Sequence, residues 1–181
     1  MKIIGGEFKG RTLIVPFGIR PVSFRVKKSV FDILRGEIKD KVILDLFGGS
    51  GALGIEALSL GARNVVFVDI NKACVNAIVK NISVIRKAAY CDVFLRDSLR
   101  AIKSFSYKNA SFDIVFIDPP YYRGMIKKTL KALDEYDILA PSGYLVILCY
   151  RSDEFGNVYS RGDIIYDIVY GQSRVLIYAK K

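Results

Sequence analysis

The segment Lys41-Val-Ile-Leu-Asp-Leu-Phe-Gly-Gly-Ser-Gly-Ala-Leu-Gly54 constrains the fold more than any other part of this 181-residue chain. An apolar run of strand length passes directly into a glycine turn and then into the helical pattern Ala52–Leu60. Such a strand–loop–helix junction opens a parallel α/β unit, with the loop at the carboxyl end of the strand where open α/β sheets bind ligands. The alternation continues. Asn64–Asp69 reads as a strand, Asn71–Arg86 as a helix capped by Asn71, and Asp92–Leu95 as a short strand. Asp97 then caps a helix near Ser98–Phe105, followed by strand Phe112–Ile117, a helix around Met125–Tyr136 and strand Tyr144–Tyr150. Asp163–Tyr170 and Ser173–Lys180, joined at Gly171-Gln172, read as an antiparallel hairpin. The expectation is a doubly wound, mostly parallel α/β sheet closed by that hairpin.

Ahead of this pattern, glycines and Pro16-Phe17-Gly18 break residues 1–22 into a short β-hairpin or arm, and residues 23–181 form the main domain. Ser23 caps a helix over 23–37, with Val26, Val30, Phe31, Ile33 and Leu34 at helical spacing. No internal repeat interrupts the chain.

Composition narrows the chemistry. Histidine is absent, and the three cysteines (Cys74, Cys91, Cys149) include no Cys-x-x-Cys pair. Zinc sites, disulfide scaffolds and imidazole-dependent catalysis are therefore not expected, and no metal is assigned. The longest apolar runs are far shorter than the roughly 20 residues of a membrane helix, and the N-terminus lacks a signal-peptide pattern. A cytoplasmic protein is expected.

Lys and Arg number 28 against 18 Asp and Glu, a net charge of +10. The first 39 residues hold nine basic side chains and three acidic ones, so six of the ten net charges lie there. That asymmetry suits a polyanion. Lys9, Arg11, Arg20, Arg25 and Lys27, with Arg123 further on, are the expected RNA contacts.

Gly49, Gly51 and Gly54 satisfy G-x-G-x-x-G, and Asp69 ends the next strand where a ribose-binding acid belongs. The triplet alone does not separate nicotinamide from other adenosine cofactors. Asp45 separates them, because its carboxylate repels a pyrophosphate but attracts the ammonium and sulfonium of S-adenosylmethionine. The expected cofactor residues are Asp45, which favours the cationic end, with Phe47, Gly48, Gly49, Ser50 and Gly51; backbone N–H groups around Gly48–Gly51 take the methionine carboxylate or lie beside it. Asp69 is placed on the ribose and Asp97 near the adenine amino group. Asp97 reads equally well as a helix N-cap.

Asp118-Pro119-Pro120-Tyr121 closes the fourth strand. Consecutive prolines hold the chain extended and fix the Asp118 carboxylate and the Pro119 carbonyl in space. Two acceptors aimed at one point suit an exocyclic amino group, and Tyr121 offers a face for stacking against an extruded base. Methyl transfer to such a nitrogen needs alignment and no enzymic nucleophile.

These residues resemble the bacterial 16S ribosomal RNA guanine-N2 methyltransferase family. The likeness rests on Arg20-Pro21, Asp45–Gly54, Phe67-Val-Asp69 and Asp118-Pro-Pro-Tyr-Tyr-Arg-Gly124, with Ile4, Gly6, Lys9, Gly10, Arg11 and Leu13 matching the family's usual opening. The resemblance implies a Rossmann-like class I methyltransferase that methylates guanine N2 in small-subunit rRNA within an assembled or assembling 30S particle. It also implies departures here: Phe24 and Lys28 replace two acidic positions, Gly49 a common alanine, and Asp69 a frequent glutamate. Competing readings are adenine-N6 methylation of RNA or DNA, a noncatalytic RNA-binding assembly factor, and a nicotinamide dehydrogenase. The last leaves Asp45 and the double proline unexplained.

Overall fold

The computed structural model describes residues 1–120 and 124–181. Its elements run α1 (Phe24–Ile33), β1 (Val42–Asp45), α2 (Ala52–Ser59), β2 (Asn64–Asp69), α3 (Lys72–Val84), β3 (Cys91–Leu95), α4 (Ser98–Tyr107), β4 (Phe112–Ile117), α5 (Met125–Tyr136), β5 (Leu139–Tyr150), β6 (Gly162–Tyr170) and β7 (Ser173–Lys180). The strands form one seven-stranded sheet in the order β3-β2-β1-β4-β5-β7-β6. β3 to β5 are parallel neighbours, while β7 runs antiparallel between β5 and β6.

Strand alternation divides the core into two layers. Ile43, Phe67, Ile114, Phe116 and Val146 face one side, packed with residues of α1, α2 and α3. Leu44, Val66, Val115, Ile117 and Ile147 face the other, against α4 and α5. Both faces of the central strands are covered, which explains their unbroken apolar sequence. The reversal of strand order falls between β1 and β4, where Asp45 pairs with Phe116. Their carboxyl ends therefore open side by side into one crevice.

Residues 1–13 close through an antiparallel bridge, Lys2 with Thr12. Ile3, Phe8 and Leu13 pack into the same layer as α1 to α3. Two side chains fasten this arm. Glu56 of α2 accepts the N–H groups of Ile4 (2.9 Å) and Gly5 (2.7 Å). Asn81 of α3 accepts from Ile14 N–H and donates to the carbonyls of Ile14 and Ser50, each within 2.9 Å.

Most element ends fall within two residues of the sequence expectation, and three differences have a structural cause. α1 stops at Ile33, because Leu34 caps it and Gly36 turns with φ +91°. β1 stops at Asp45, where the chain must leave the sheet to build the glycine loop. β5 begins at Leu139 rather than at residue 144; Ala140–Gly143 bulge between two registers with β4. A short 3-10 turn, Ala88–Tyr90, also precedes β3.

Candidate active site

A cleft of about 670 Å³ lies over the carboxyl ends of β1, β2, β3 and β4. Asp45, Phe47, Gly48, Gly49, Ser50, Asp69, Asp97, Asp118, Pro119 and Pro120 all line it, together with Arg20 and Arg96. Residues from four separate strand ends are thus gathered into one concavity. Tyr121 and Arg123 lie outside the described residues.

Asp45 is almost fully buried. Its Oδ2 accepts from Gly54 N–H at 3.1 Å, while Oδ1, equally buried, has no hydrogen-bond partner. Burial pushes its pKa up to about 7; the Gly54 N–H opposes that rise and the nearby Asp69 charge adds to it. Asp118 is also raised to about 7, first by burial and then by the charge of Asp45, against the pull of Arg20. Two carboxylates short of compensating charge, one with an unmet acceptor, make the cleft receptive to a cation.

The other acids are pinned by backbone. Asp69 accepts from Gly49 N–H through Oδ2 and from Asn71 N–H through Oδ1, both at 2.8 Å. Asp97 caps α4 by accepting from Arg100 N–H at 3.0 Å, and it also lines the cleft. Its position serves the cap and leaves the second role open. Each carboxylate oxygen retains lone-pair capacity for a further donor.

The glycine loop departs from expectation. The N–H groups of Gly48, Gly49 and Gly51 donate inward, to Val68 O, Asp69 Oδ2 and Gly48 O respectively. They hold the loop's shape, so three of the four donors expected at a ligand carboxylate are already engaged. Gly51 stands back from the cleft wall and serves as the left-handed N-cap of α2, with φ +79°. Gly54 is required for a different reason: a Cβ there would sit 2.3 Å from the Phe67 ring, so helix and strand meet only through glycine.

Among the expected RNA contacts, Lys9, Arg11, Arg20 and Arg25 are exposed. Arg20 forms part of the cleft wall, whereas Arg11 reaches Val84 O at 2.8 Å. Lys27 is a correction. It is 1% exposed, and its ammonium sits 2.6 Å from Glu56 Oε2 and 2.8 Å from Lys2 O. A charge so enclosed is a structural tie and is not available to RNA.

Glu56 and Asn81 were missed from sequence. Both stand at positions that helical periodicity assigns to the core, Glu56 in a helix buried at all eight residues and Asn81 between Ile78 and Ile82. A polar residue inside an apolar stripe was the available signal.

The family model described as "Conserved hypothetical protein 95" matches residues 1–179. The Bacillus subtilis protein YlbH is 33% identical over 185 aligned residues, covering the whole of both chains. Ribosomal RNA small subunit methyltransferase D of Escherichia coli is 35% identical over 149 residues, 81% of this chain and 73% of that one. The chain belongs to this family. The solved structure of Escherichia coli yhhF superposes with a TM-score of 0.86 at 31% identity, covering 100% of this chain and 98% of that chain. The architecture expected from sequence, a class I methyltransferase sheet ending in an antiparallel hairpin, is the one found. Among the described residues no cluster of acidic or cysteine side chains has metal-binding geometry, and no helix is long and apolar enough to cross a membrane.

Proposed function

We propose that this protein transfers a methyl group from S-adenosylmethionine to the exocyclic N2 amino group of a guanine in small-subunit ribosomal RNA. The observation that carries the reading is the cleft itself, where a buried, half-satisfied Asp45 carboxylate and Asp118-Pro119 open side by side. Family membership supports rRNA of the small subunit as the substrate class.

The residues suit the cofactor. Asp45 Oδ1 supplies an acceptor that the fold leaves unmet; Asp69 and Asp97, which line the same cleft, would accept from the ribose hydroxyls and the adenine amino group. Bound S-adenosylmethionine supplies a methyl group on a positively charged sulfur. Asp118 and the Pro119 carbonyl then accept the two N–H bonds of the target amino group, which orients its nitrogen lone pair toward that methyl. Pro119 is buried and stiffened by Pro120, so the acceptor pair is fixed before substrate arrives. The half-buried setting of Asp118 strengthens its hold on an N–H donor. The proposed setting is an assembled or assembling 30S subunit in the cytoplasm.

The experiment incubates the protein with labelled S-adenosylmethionine and small subunits that lack the modification, beside free rRNA and duplex DNA, and identifies the nucleosides by mass. N2-methylguanosine from subunits is expected. Asp118→Ala should retain cofactor binding and lose turnover. Methyladenosine would move the substrate; unchanged turnover in Asp118→Ala would overturn the role of that residue.

A further inference from the structure

The stretch that forms one wall of the cleft is flanked in sequence by two exposed aromatic rings. Residues 18–23 line the cleft without a break, and this stretch is bracketed by Phe17 and Phe24. Of eleven phenylalanines, these two alone are exposed; Phe17 projects fully into solvent and Phe24 is 65% exposed. Exposed tyrosines differ: Tyr166 lies on strand β6, away from residues 17–24, and two others have partners. Tyr107 packs against Tyr136 with Lys103 above it, and Tyr90 lies beneath Lys87. Among the described residues, no ring or cation packs against Phe17 or Phe24.

Neither ring hangs from loose backbone. Phe17 occupies a turn closed by Ile19 N–H to Pro16 O at 3.2 Å, and Gly18 completes it with φ +75°. Phe24 is the first residue of α1, anchored by Ser23, whose Oγ accepts from Val26 N–H at 3.2 Å. A displayed apolar ring held by a fixed turn is a surface prepared for contact. The chemistry beside the rings identifies the contact. Arg20 and Arg25 are exposed within the same stretch, and Lys28 follows Phe24 by one helical turn, paired on its solvent side with Asp32. Aromatic faces interleaved with cations match a single nucleic-acid strand, with bases on the rings and phosphates on the cations.

We propose that Phe17 and Phe24 stack on nucleobases flanking the target nucleotide, holding the RNA strand splayed across the cleft mouth so that one base reaches Asp118. This rests on RNA being the substrate, as proposed above. It assigns Phe24 a role in this chain at a position where the resembled family carries an acid. Stacking of this kind is tolerant of base identity, so the pair governs how the strand is held open and leaves the choice of target base to the cleft.

Phe17 and Phe24 are replaced singly by Ala, Leu and Trp. Two quantities are read: KM for small subunits lacking the modification, and fluorescence quenching of a single-stranded oligoribonucleotide carrying one 2-aminopurine. The Ala variants should raise KM about 5- to 100-fold and lose quenching. Trp should restore both, whereas Leu should not. Tm and S-adenosylmethionine affinity should stay at wild-type values, since both rings are exposed. Unchanged KM in the Ala variants, an unquenched wild-type complex, or full restoration by Leu would each overturn the proposal; restoration by Leu would indicate an apolar protein partner instead. Failure of the wild-type protein to methylate subunits would count against the proposed function, and the quenching measurement, which needs no turnover, still decides the stacking role.

Discussion

Replacing Glu56 by Ala removes one carboxylate and strands three donors. Lys27, 1% exposed, keeps only the Lys2 carbonyl, and the N–H groups of Ile4 and Gly5 lose their acceptor. Widowing a buried charge costs about 3–5 kcal/mol. Each N–H left without a partner adds about 1–3 kcal/mol, nearer the lower end here because Ile4 and Gly5 are only half-buried. These costs overlap, and a total of about 5 kcal/mol corresponds to a fall in Tm of roughly 10–20 °C for a chain of this size. Glu56→Gln keeps a carbonyl oxygen for the two N–H groups and should lose less. The decisive variant is Lys27→Met combined with Glu56→Gln, which removes both charges and leaves the arm's donors satisfied. It should be more stable than the sum of the two single losses. Thermal melts followed by circular dichroism read all four proteins. Strict additivity would refute the coupling, and a Lys27→Met protein with unchanged Tm but weakened RNA binding would return Lys27 to the RNA surface.

Two further outcomes follow from the cleft and its loop. Gly54→Ala places a Cβ 2.3 Å from the Phe67 ring and should cost about 1–3 kcal/mol through overpacking, visible as a lower denaturant midpoint; an unshifted midpoint would contradict the helix–strand contact. Asp45 and Asp118 are raised from 3.8 to about 7, so between about pH 4 and 7 the native state holds protons that the unfolded chain has released, and stability of the free protein falls as pH rises through that window. Asp45→Asn should flatten this slope while weakening S-adenosylmethionine binding at pH 8 by calorimetry, and a slope that steepens would reject the assignment.

What could be read from sequence was what depends on local pattern. The apolar runs behind Asp45 and Asp118 marked central strands, and the glycines between Phe47 and Gly54 marked the loop, because period and turn chemistry are written residue by residue. The same reading placed Asp69 and Asp97 at strand ends that the sheet gathers into one cleft. It failed where a side chain's role depends on a partner far along the chain. Lys27 looked like one basic residue among nine, and only the approach of α2 to α1 turns it inward toward Glu56. The inward N–H groups of Gly48 and Gly49 are hidden likewise, since their acceptors, Val68 and Asp69, belong to the neighbouring strand. Helix α1 reads too long from sequence because Leu34, its cap, continues the apolar period beyond Ile33, the last helical residue.

The pairing of β1 with β4 also bears on how the protein comes into being. Ile43 lies beside Ile114 in the sheet, with two strands and three helices of chain between them. Bringing such distant segments together incurs the closure entropy of the whole intervening loop before any contact rewards it. Asp45 and Asp118 therefore do not become neighbours during early synthesis. β5 must wait longer still for β7, the last strand of the chain. Until the C-terminal hairpin docks, β5 presents an open apolar edge of the kind that attracts other chains. A ribosome-bound nascent chain thus carries Asp45 to Pro120 well before it has a cleft, and Ser173 of β7 joins the lining only when that last hairpin docks.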